Sequence, residues 1–380
     1  LTDRVFAVIT NNVYLGKYSK YMTKLMNNVA EFGVLPVDYS VVVPTKVEVR
    51  TLISIVKDAA SFLEKYASSF KSVDVTVAAD AEFQNDLTNL ITHALESQLV
   101  EQVFMNVVNG ATSIVTKRYG DLDFFAGMTS DEFVNVALPD IFEMISYAEE
   151  LGVIGGSVNY KNTDALINLA KLVVNSPVTK DFINDLAPIA LRKVLHIELT
   201  KEELVNANID YNDEVAKLEA FFNIINAEFQ NVDLGNADSL LDTDFLLALA
   251  EAGRELEDSK FLELIIKPIM KKGINKIVAA SDIFEFLSTA LEDEAYTNAQ
   301  AMEDYSKLLN IIECAALINF FDELDYSVLT QHLETLLTNI LGMHAAKGQE
   351  ASIMRKILDK CTFIDTSSID LDHITDWDEE

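Results

Sequence analysis

The chain has 380 residues, of which 49% are hydrophobic, and its formal net charge is −32 at pH 7. The hydrophobic share excludes wholesale disorder, and 61 acidic against 29 basic residues exclude a face positive enough to bind nucleic acid or anionic lipid. With only 13 glycines and 6 prolines, a sandwich or barrel built from many tight turns is not expected, whereas long helices are.

A short motif returns at a fixed spacing. TDALINLA at 163–170 recurs as TDFLLALA at 243–250, which is 80 residues later. Phenylalanines at four places are each followed by a leucine 24 or 25 residues further on, in the pairs Phe62 and Leu87, Phe142 and Leu166, Phe222 and Leu246, Phe284 and Leu308. Such regularity indicates internal repeats.

Each repeat is predicted to contain three helices, A, B and C. Helix A is represented by 131–151, helix B by 163–174, and helix C by 179–195 and its counterpart 259–274. The apolar residues of helix B surround nearly its whole circumference, so we expect this helix to be buried between neighbours. Pro188 and Pro268 occupy matching places in helix C, where each is expected to introduce a kink for packing.

Several residue patterns predict where elements begin. Capping boxes are expected at Thr129–Glu132 and Thr200–Glu203, and N-caps at Asp131, Thr163 and Ser281. An additional helix is predicted over 327–342. The β-branched stretches 39–49 and 73–80 are expected to form short strands or extended connectors.

The predicted fold is all-α, with tandem three-helix repeats of about 80 residues that form an α-solenoid or an elongated helical array. The predicted divisions are a partial repeat (1–36), repeat 1 (37–120), repeat 2 (121–198), repeat 3 (199–280), repeat 4 with the extra helix (281–364), and an acidic start of a further repeat or linker (365–380). Each end of the chain falls inside a predicted repeat, and the first residue is Leu1 and not Met. We therefore expect this chain to be a segment of a larger protein.

The sequence predicts no catalytic, cofactor-binding or metal-ligating residue. The five histidines (His93, His196, His332, His344 and His373) include no pair three or four residues apart, and His332 and His344 are expected about 120° apart around a helix. The glycine cluster at 151–157 lacks the pattern of a phosphate-binding loop and is expected to connect helices A and B. Cys314 and Cys361 fit no metal or disulfide framework, and their pairing stays open.

Acid-rich segments at 120–132, 233–244 and 365–380 lack the complete calcium-loop pattern, so they are predicted to be solvated connectors rich in helix caps. Weak calcium sites at these junctions are the alternative. No apolar run approaches the ~20 residues needed to span a bilayer, so membrane insertion of this segment is not expected.

In the stacking of helical units with periodic leucines, the chain resembles α-solenoids of the HEAT and armadillo class. In its acidic, repetitive and helical composition, it resembles long acidic repeat proteins of bacterial surfaces. We therefore expect a non-enzymatic spacer, scaffold or binding surface for a protein or surface ligand, extracellular or at the cell surface rather than cytoplasmic. The alternatives are an all-α enzyme or carbohydrate- or ligand-binding domain with an acidic cleft between divergent repeats, and a calcium-stabilised adhesin module.

Overall fold

The computed structural model describes residues 46–72, 75–119, 124–125, 127–154, 156–233, 235–278, 282–320 and 325–360. Within these ranges the regular elements are all helical and no strand occurs, which confirms the predicted all-α class. The chain divides between Ile183 and Asn184 into two compact units. In the described ranges no helix is both long and apolar enough to cross a membrane.

The described residues of the first unit contain six longer helices, joined by short helical turns. The helices are α1 (Lys46–Lys65), α2 (Ala67–Ser72), α3 (Ala81–Leu95), α4 (Gln98–Tyr119), α5 (Leu138–Glu150) and α6 (Thr163–Asn175). The turns are the 3-10 segments Val75–Ala79 and Lys180–Phe182, the helical turn Ser130–Glu132, and the π-helical turn Phe133–Ala137 that leads into α5.

Helix α3 packs against both α1 and α4 in the first unit, and α5 packs against α6. A buried cluster that includes Phe133, Ala137 and Leu138 lies at the start of α5, where the rings of Phe104 and Phe133 meet edge-on at a centroid distance of 5.4 Å. Among the described helices of this unit, α1 and α3 thus form one pair and α5 and α6 another, with α4 packed on α3.

The second unit begins with the rest of α7 (Ile183–Ala190) and continues to the last described helix. The subsequent helices are α8 (Lys201–Ala207), α9 (Tyr211–Asn231), α10 (Ala237–Leu240), α11 (Thr243–Arg254), α12 (Lys260–Val278), α13 (Glu285–Glu292), α14 (Asn298–Leu317), α15 (Tyr326–Leu341) and α16 (Glu350–Lys360). Short segments lie between them: the π-helical turn Leu191–Leu195 and the 3-10 turns Asp282–Phe284 and His344–Ala346.

Helix α14 lies at the centre of the second unit. It packs against α11, α12 and α15, and its side chains enter the same buried cluster as Ile266, Leu287 and Ile340. Ile311 of α14 is only 1% exposed. This helix is thus enclosed by its neighbours.

Helix α6 is enclosed less completely than its sequence predicts. Ala165 and Ile167 are buried, but Leu166, Leu169 and Leu172 are only half-buried among the described residues. Its counterpart α11 buries Phe245, Leu246, Ala250, Ala252 and Gly253. Both helices pack against the preceding helix A, α6 on α5 and α11 on α9.

The predicted capping boxes at Thr129–Glu132 and Thr200–Glu203 are confirmed. The N-cap predicted at Thr163 is wrong, because the Asn162 side chain accepts the hydrogen bond from the amide of Ala165 at 3.2 Å and Thr163 is the first helical residue. Asp131 likewise lies inside the first turn, since Thr129 is the cap. Ser281 lies outside the described residues.

The extra helix predicted over 327–342 is confirmed as α15. The expectation of strands or extended connectors is wrong where the structure describes it, because Val75–Ala79 is a 3-10 turn and α1 already begins at Lys46. The turn packs against α3 and α5, and such packing outweighs the weak β preference of its valines. Residues 39–45 and 73–74 lie outside the described ranges.

The two prolines of helix C have different surroundings. Pro188 lies inside α7, which passes directly into the π-helical turn Leu191–Leu195, whereas Pro268 lies inside the continuous helix α12. A proline lacks the amide hydrogen that would bond to the carbonyl four residues earlier, so each of these helices lacks one ladder hydrogen bond in the turn before its proline. The predicted repeat boundaries stay predictions, and the terminal divisions 1–36 and 365–380 lie outside the described residues.

Candidate functional site: a polar groove between two helices

A groove of about 410 Å³ opens between α1 and α3 in the first unit. Both helices line it with residues at positions i, i+3, i+4 and i+7, which share one face of a helix. Helix α1 contributes Asp58, Ser61, Phe62 and Lys65, and helix α3 contributes Asp86, Asn89, Leu90 and His93. Six of these eight side chains are polar or charged.

Paired polar side chains join the two helices near both ends of the groove. Nδ1 of His93 lies 2.6 Å from Oδ2 of Asp58. At the other end, the Lys65 ammonium donates to Asp86 at 2.5 Å and to Glu82 at 2.8 Å. Asp58, earlier on α1, contacts His93, whereas Lys65, later on α1, contacts the earlier Asp86 of α3, so the two helices run antiparallel.

The Lys65 end is an ion-pair network with an aromatic ring beneath it. Hydrogen bonds to Asp86 and then Glu82 raise the pKa of Lys65 above its usual range, and those from Lys65 and then Tyr66 lower the pKa of Asp86. The Tyr66 hydroxyl donates to Asp86 at 2.8 Å. The ammonium of Lys65 also lies 5.2 Å from the centroid of the Tyr66 ring. Lys65 is thus held by groups of its own unit.

Below the charged side chains lies a group of aromatic rings. The Phe62 ring is 4.9 Å from Tyr66 and 5.4 Å from Phe83, measured between centroids. Tyr66 and Phe83 are buried, which fixes the position of Phe62 at the groove. Together with Leu90, Phe62 supplies the apolar part of the lining.

The arrangement around His93 does not form a Ser–His–Asp relay among the described residues. An Asp–His–Ser triad needs one imidazole nitrogen on the acid and the other on the serine hydroxyl. Here Nδ1 of His93 faces Asp58, and Nε2 lies 3.9 Å from a carboxylate oxygen of Glu96. Each nitrogen of the His93 ring thus has a carboxylate near it, and Ser61 is not part of a relay.

The remaining histidines are placed separately. Nε2 of His344 lies 2.7 Å from Glu303, which lowers the pKa of that carboxyl. The prediction that His332 and His344 share a helix is wrong, because α15 ends at Leu341 and His344 begins a 3-10 turn. His196 is exposed with a left-handed backbone (φ 53°). His373 lies outside the described residues.

The acid-rich segments act as caps where the structure describes them. Asp242 caps α11 by accepting from the amides of Asp244 and Phe245, and Glu132 completes the Thr129 capping box. Across the described ranges, no group of three or more His, Cys, Asp or Glu side chains is arranged to hold a metal ion. Residues 120–123, 126, 234 and 365–380 of these segments lie outside those ranges.

Cys314 is a free thiol in the core of the second unit, and burial raises its pKa. It packs among Ile311, Ala315 and other apolar residues of the α14 cluster, as predicted for a small core side chain. Cys361 lies outside the described residues, so their pairing is untested.

Comparison with protein-family models, with curated proteins and with solved structures finds no match to this chain.

Proposed function

We propose that the chain is a non-enzymatic helical-repeat scaffold whose first repeat carries a binding groove. One observation carries the proposal. The α1–α3 pair is the A–B helix pair of predicted repeat 1, and Asp58, Ser61, Lys65 and His93 stand at positions that are apolar in the later copies. The phenylalanine and leucine of each predicted repeat provide the alignment.

With Phe62, Phe142, Phe222 and Phe284 taken as equivalent, the polar side chains that α1 presents to the groove correspond to apolar side chains in every later copy. Asp58 corresponds to Leu138, Leu218 and Ala280; Ser61 to Ile141, Phe221 and Ile283; and Lys65 to Ile145, Ile225 and Leu287. Of these counterparts, Leu138, Ile225, Ile283 and Leu287 are buried.

Helix α3 shows the same contrast when Leu87, Leu166, Leu246 and Leu308 are taken as equivalent. Asp86 corresponds to Ala165, Phe245 and Lys307, and His93 corresponds to Leu172, Ala252 and Cys314. Ala165, Phe245, Ala252 and Cys314 are buried. Lys307 is the single charged counterpart, and Asn89 has asparagine counterparts at Asn168 and Asn310.

The apolar counterparts form helix-packing cores in their own copies. Ile225 of α9 and Phe245 and Ala252 of α11 belong to one buried cluster, and Leu287 of α13 and Cys314 of α14 belong to another. A repeat that replaces such residues with Asp, Ser, Lys and His loses apolar burial between its helices. Local departures from an otherwise consistent packing rule are expected at functional sites.

The packing of α11 and α14 supports the scaffold part of the proposal. These two predicted B helices of successive repeats pack directly on each other, and Leu246 and Leu308 lie in the same buried cluster. In a repeat array each unit buries its apolar helix against the next, so stability is shared between neighbours. We extend this arrangement to an α-solenoid or elongated array of three-helix units.

The two alternatives have less support. A general acid in an enzyme cleft needs a raised pKa, yet the resolved carboxyl shifts in the described residues, at Asp86, Glu132, Glu203, Glu303 and Asp325, all lower the pKa. Hydrogen-bond donors cause each of these shifts. A calcium-stabilised module needs clustered oxygen ligands, and the described acids of the connectors serve as helix caps.

Hydrogen exchange measured by mass spectrometry tests the repeat scaffold. Ile311→Val removes one buried methylene group from α14 and is expected to destabilise by about 1 kcal/mol. In an array, exchange protection falls most in α13 to α15, less in α11 and α12, least in α8 and α9, and not at all in the first unit. Ile167→Val in α6 is the matched control, with its effect confined to α5 and α6.

A single cooperative domain would respond differently. There, Ile311→Val would lower protection by the same factor in every helix of the second unit, because all of its amides would exchange through one global opening. That uniform response would contradict the repeat scaffold.

A further inference from the structure

We infer that the α1–α3 groove binds an organic cation, an ammonium or guanidinium group on an aliphatic stem. The inference rests on the proposed function, because it names the ligand chemistry of the same groove. It follows from the charges around the groove, from the groups that remain available to a ligand, and from the apolar part of the lining.

Negative charge exceeds positive charge at the groove. Asp58 and Asp86 line it, and Glu82 and Glu96 stand beside the two pairs of side chains, against the single ammonium of Lys65 and the imidazole of His93. Lys65 already donates to Asp86 and Glu82. An incoming cation therefore meets uncompensated carboxylate charge, in a chain whose net charge of −32 attracts cations over longer distances.

Asp58 is the best-placed acceptor. Its side chain is 52% exposed, and the single hydrogen bond to His93 occupies only part of the capacity of a carboxylate, which accepts about four. The hydroxyl of Ser61, one turn further along α1, and the amide of Asn89 across the groove add neutral hydrogen-bonding groups.

The apolar lining suits the stem of such a ligand. Phe62 and Leu90 line the groove between the two charged ends, so methylene groups can pack there while the cationic head stays near Asp58. An aromatic face within about 6 Å of a cation adds attraction. A volume of about 410 Å³ matches one long basic side chain or a small amine, near the lower limit for ligand pockets.

Two sources present this chemistry, a Lys or Arg side chain of a basic peptide and a free amine. Chemical shifts of the α1 and α3 amides of the full chain are followed at 0.15 M salt, where long-range surface attraction is screened. The probes are n-butylammonium and the peptide acetyl-Gly-Lys-Gly-amide. The control ligands are butyrate and 1-pentanol, which lack the positive charge.

We expect both cations to shift the amides around Asp58 and His93, and the control ligands to leave them unchanged. Asp58→Asn should weaken binding by about tenfold or more, since a charged hydrogen-bond partner is lost. Glu150→Gln, which removes an exposed acid at the end of α5, is the matched control and should leave binding unchanged. Saturable shifts with the peptide alone would identify a protein ligand as the source.

Equal shifts with butyrate or 1-pentanol, no saturable shift with either cation, or equal weakening by Asp58→Asn and Glu150→Gln would overturn the inference. Asp58→Leu combined with His93→Leu copies the residues of repeat 2 and provides a second variant that must also lose binding. If these binding tests fail while Ile311→Val produces a graded loss of exchange protection, cation binding is refuted and the repeat scaffold stands. If Ile311→Val lowers protection uniformly, the repeat scaffold itself is refuted.

Discussion

Asp304→Ala is expected to lower the free energy of unfolding of the second unit by about 3–5 kcal/mol. The Asp304 side chain is fully buried on α14. It accepts hydrogen bonds from the amides of His344 and Ala345 at 2.8 and 2.9 Å and from the Tyr296 hydroxyl at 3.0 Å. Alanine leaves all three donors without this acceptor, two of them buried (the Ala345 amide and the Tyr296 hydroxyl), and the turn after α15 loses its attachment to α14.

Urea denaturation followed by far-ultraviolet circular dichroism measures this loss. Asp304→Asn keeps the size of the side chain but replaces one acceptor oxygen with a donor, so an intermediate loss is expected. Glu303→Gln is the matched control, because Glu303 is the exposed neighbour on the same helix and bonds only at the surface, to His344. If Asp304→Ala proves as stable as Glu303→Gln, the buried carboxylate does not hold this turn.

Gly152→Ala is expected to destabilise the first unit by about 3 kcal/mol or more. Gly152 ends α5 with φ at +70°, a conformation that L-residues adopt at a cost. A Cβ atom there would lie 2.0 Å from the carbonyl oxygen of Ser157, whose amide donates back to Gly152 at 3.1 Å. The connector between α5 and α6 must open to admit the methyl group.

Gly156→Ala separates the backbone penalty from the clash. Gly156 has nearly the same conformation, with φ at +76°, but no atom lies within 4 Å of its added Cβ. We expect a loss of about 1–2 kcal/mol, from the left-handed backbone alone. Equal losses for the two alanine variants, measured by the same denaturation, would show that the contact with Ser157 is unimportant.

The helical class and many element ends follow from local chemistry that a sequence displays. A threonine followed three residues later by glutamate predicts a capping box, and Thr129–Glu132 and Thr200–Glu203 form one. The cap of α6 is missed by one position, because Asn162 and Thr163 are both good caps and only the surroundings decide between them. Val75–Ala79 shows the same limit for β-branched residues, since its packing on α3 and α5 determines its form.

The groove residues can be found in the sequence by comparing where the repeat copies differ, and not where they agree. Searching for repeats emphasises what the copies share, such as Phe62 and Leu87, and none of the groove residues stands out by its own motif. The signal is the difference between copies: Asp58 and His93 stand where repeat 2 has Leu138 and Leu172. Knowing that these positions face each other across α1 and α3, however, required the structure.

The central claim is that the polar residues of the groove serve binding and not stability. The double variant Asp58→Leu with His93→Leu tests it most directly, through its free energy of unfolding by urea denaturation. We expect stability to be unchanged or raised by roughly 0.5–1 kcal/mol, because an exposed polar contact contributes little and leucine favours helices and apolar contact with Phe62 and Leu90. A clear loss of stability would show that the Asp58–His93 pair holds the two helices together, and would contradict the account.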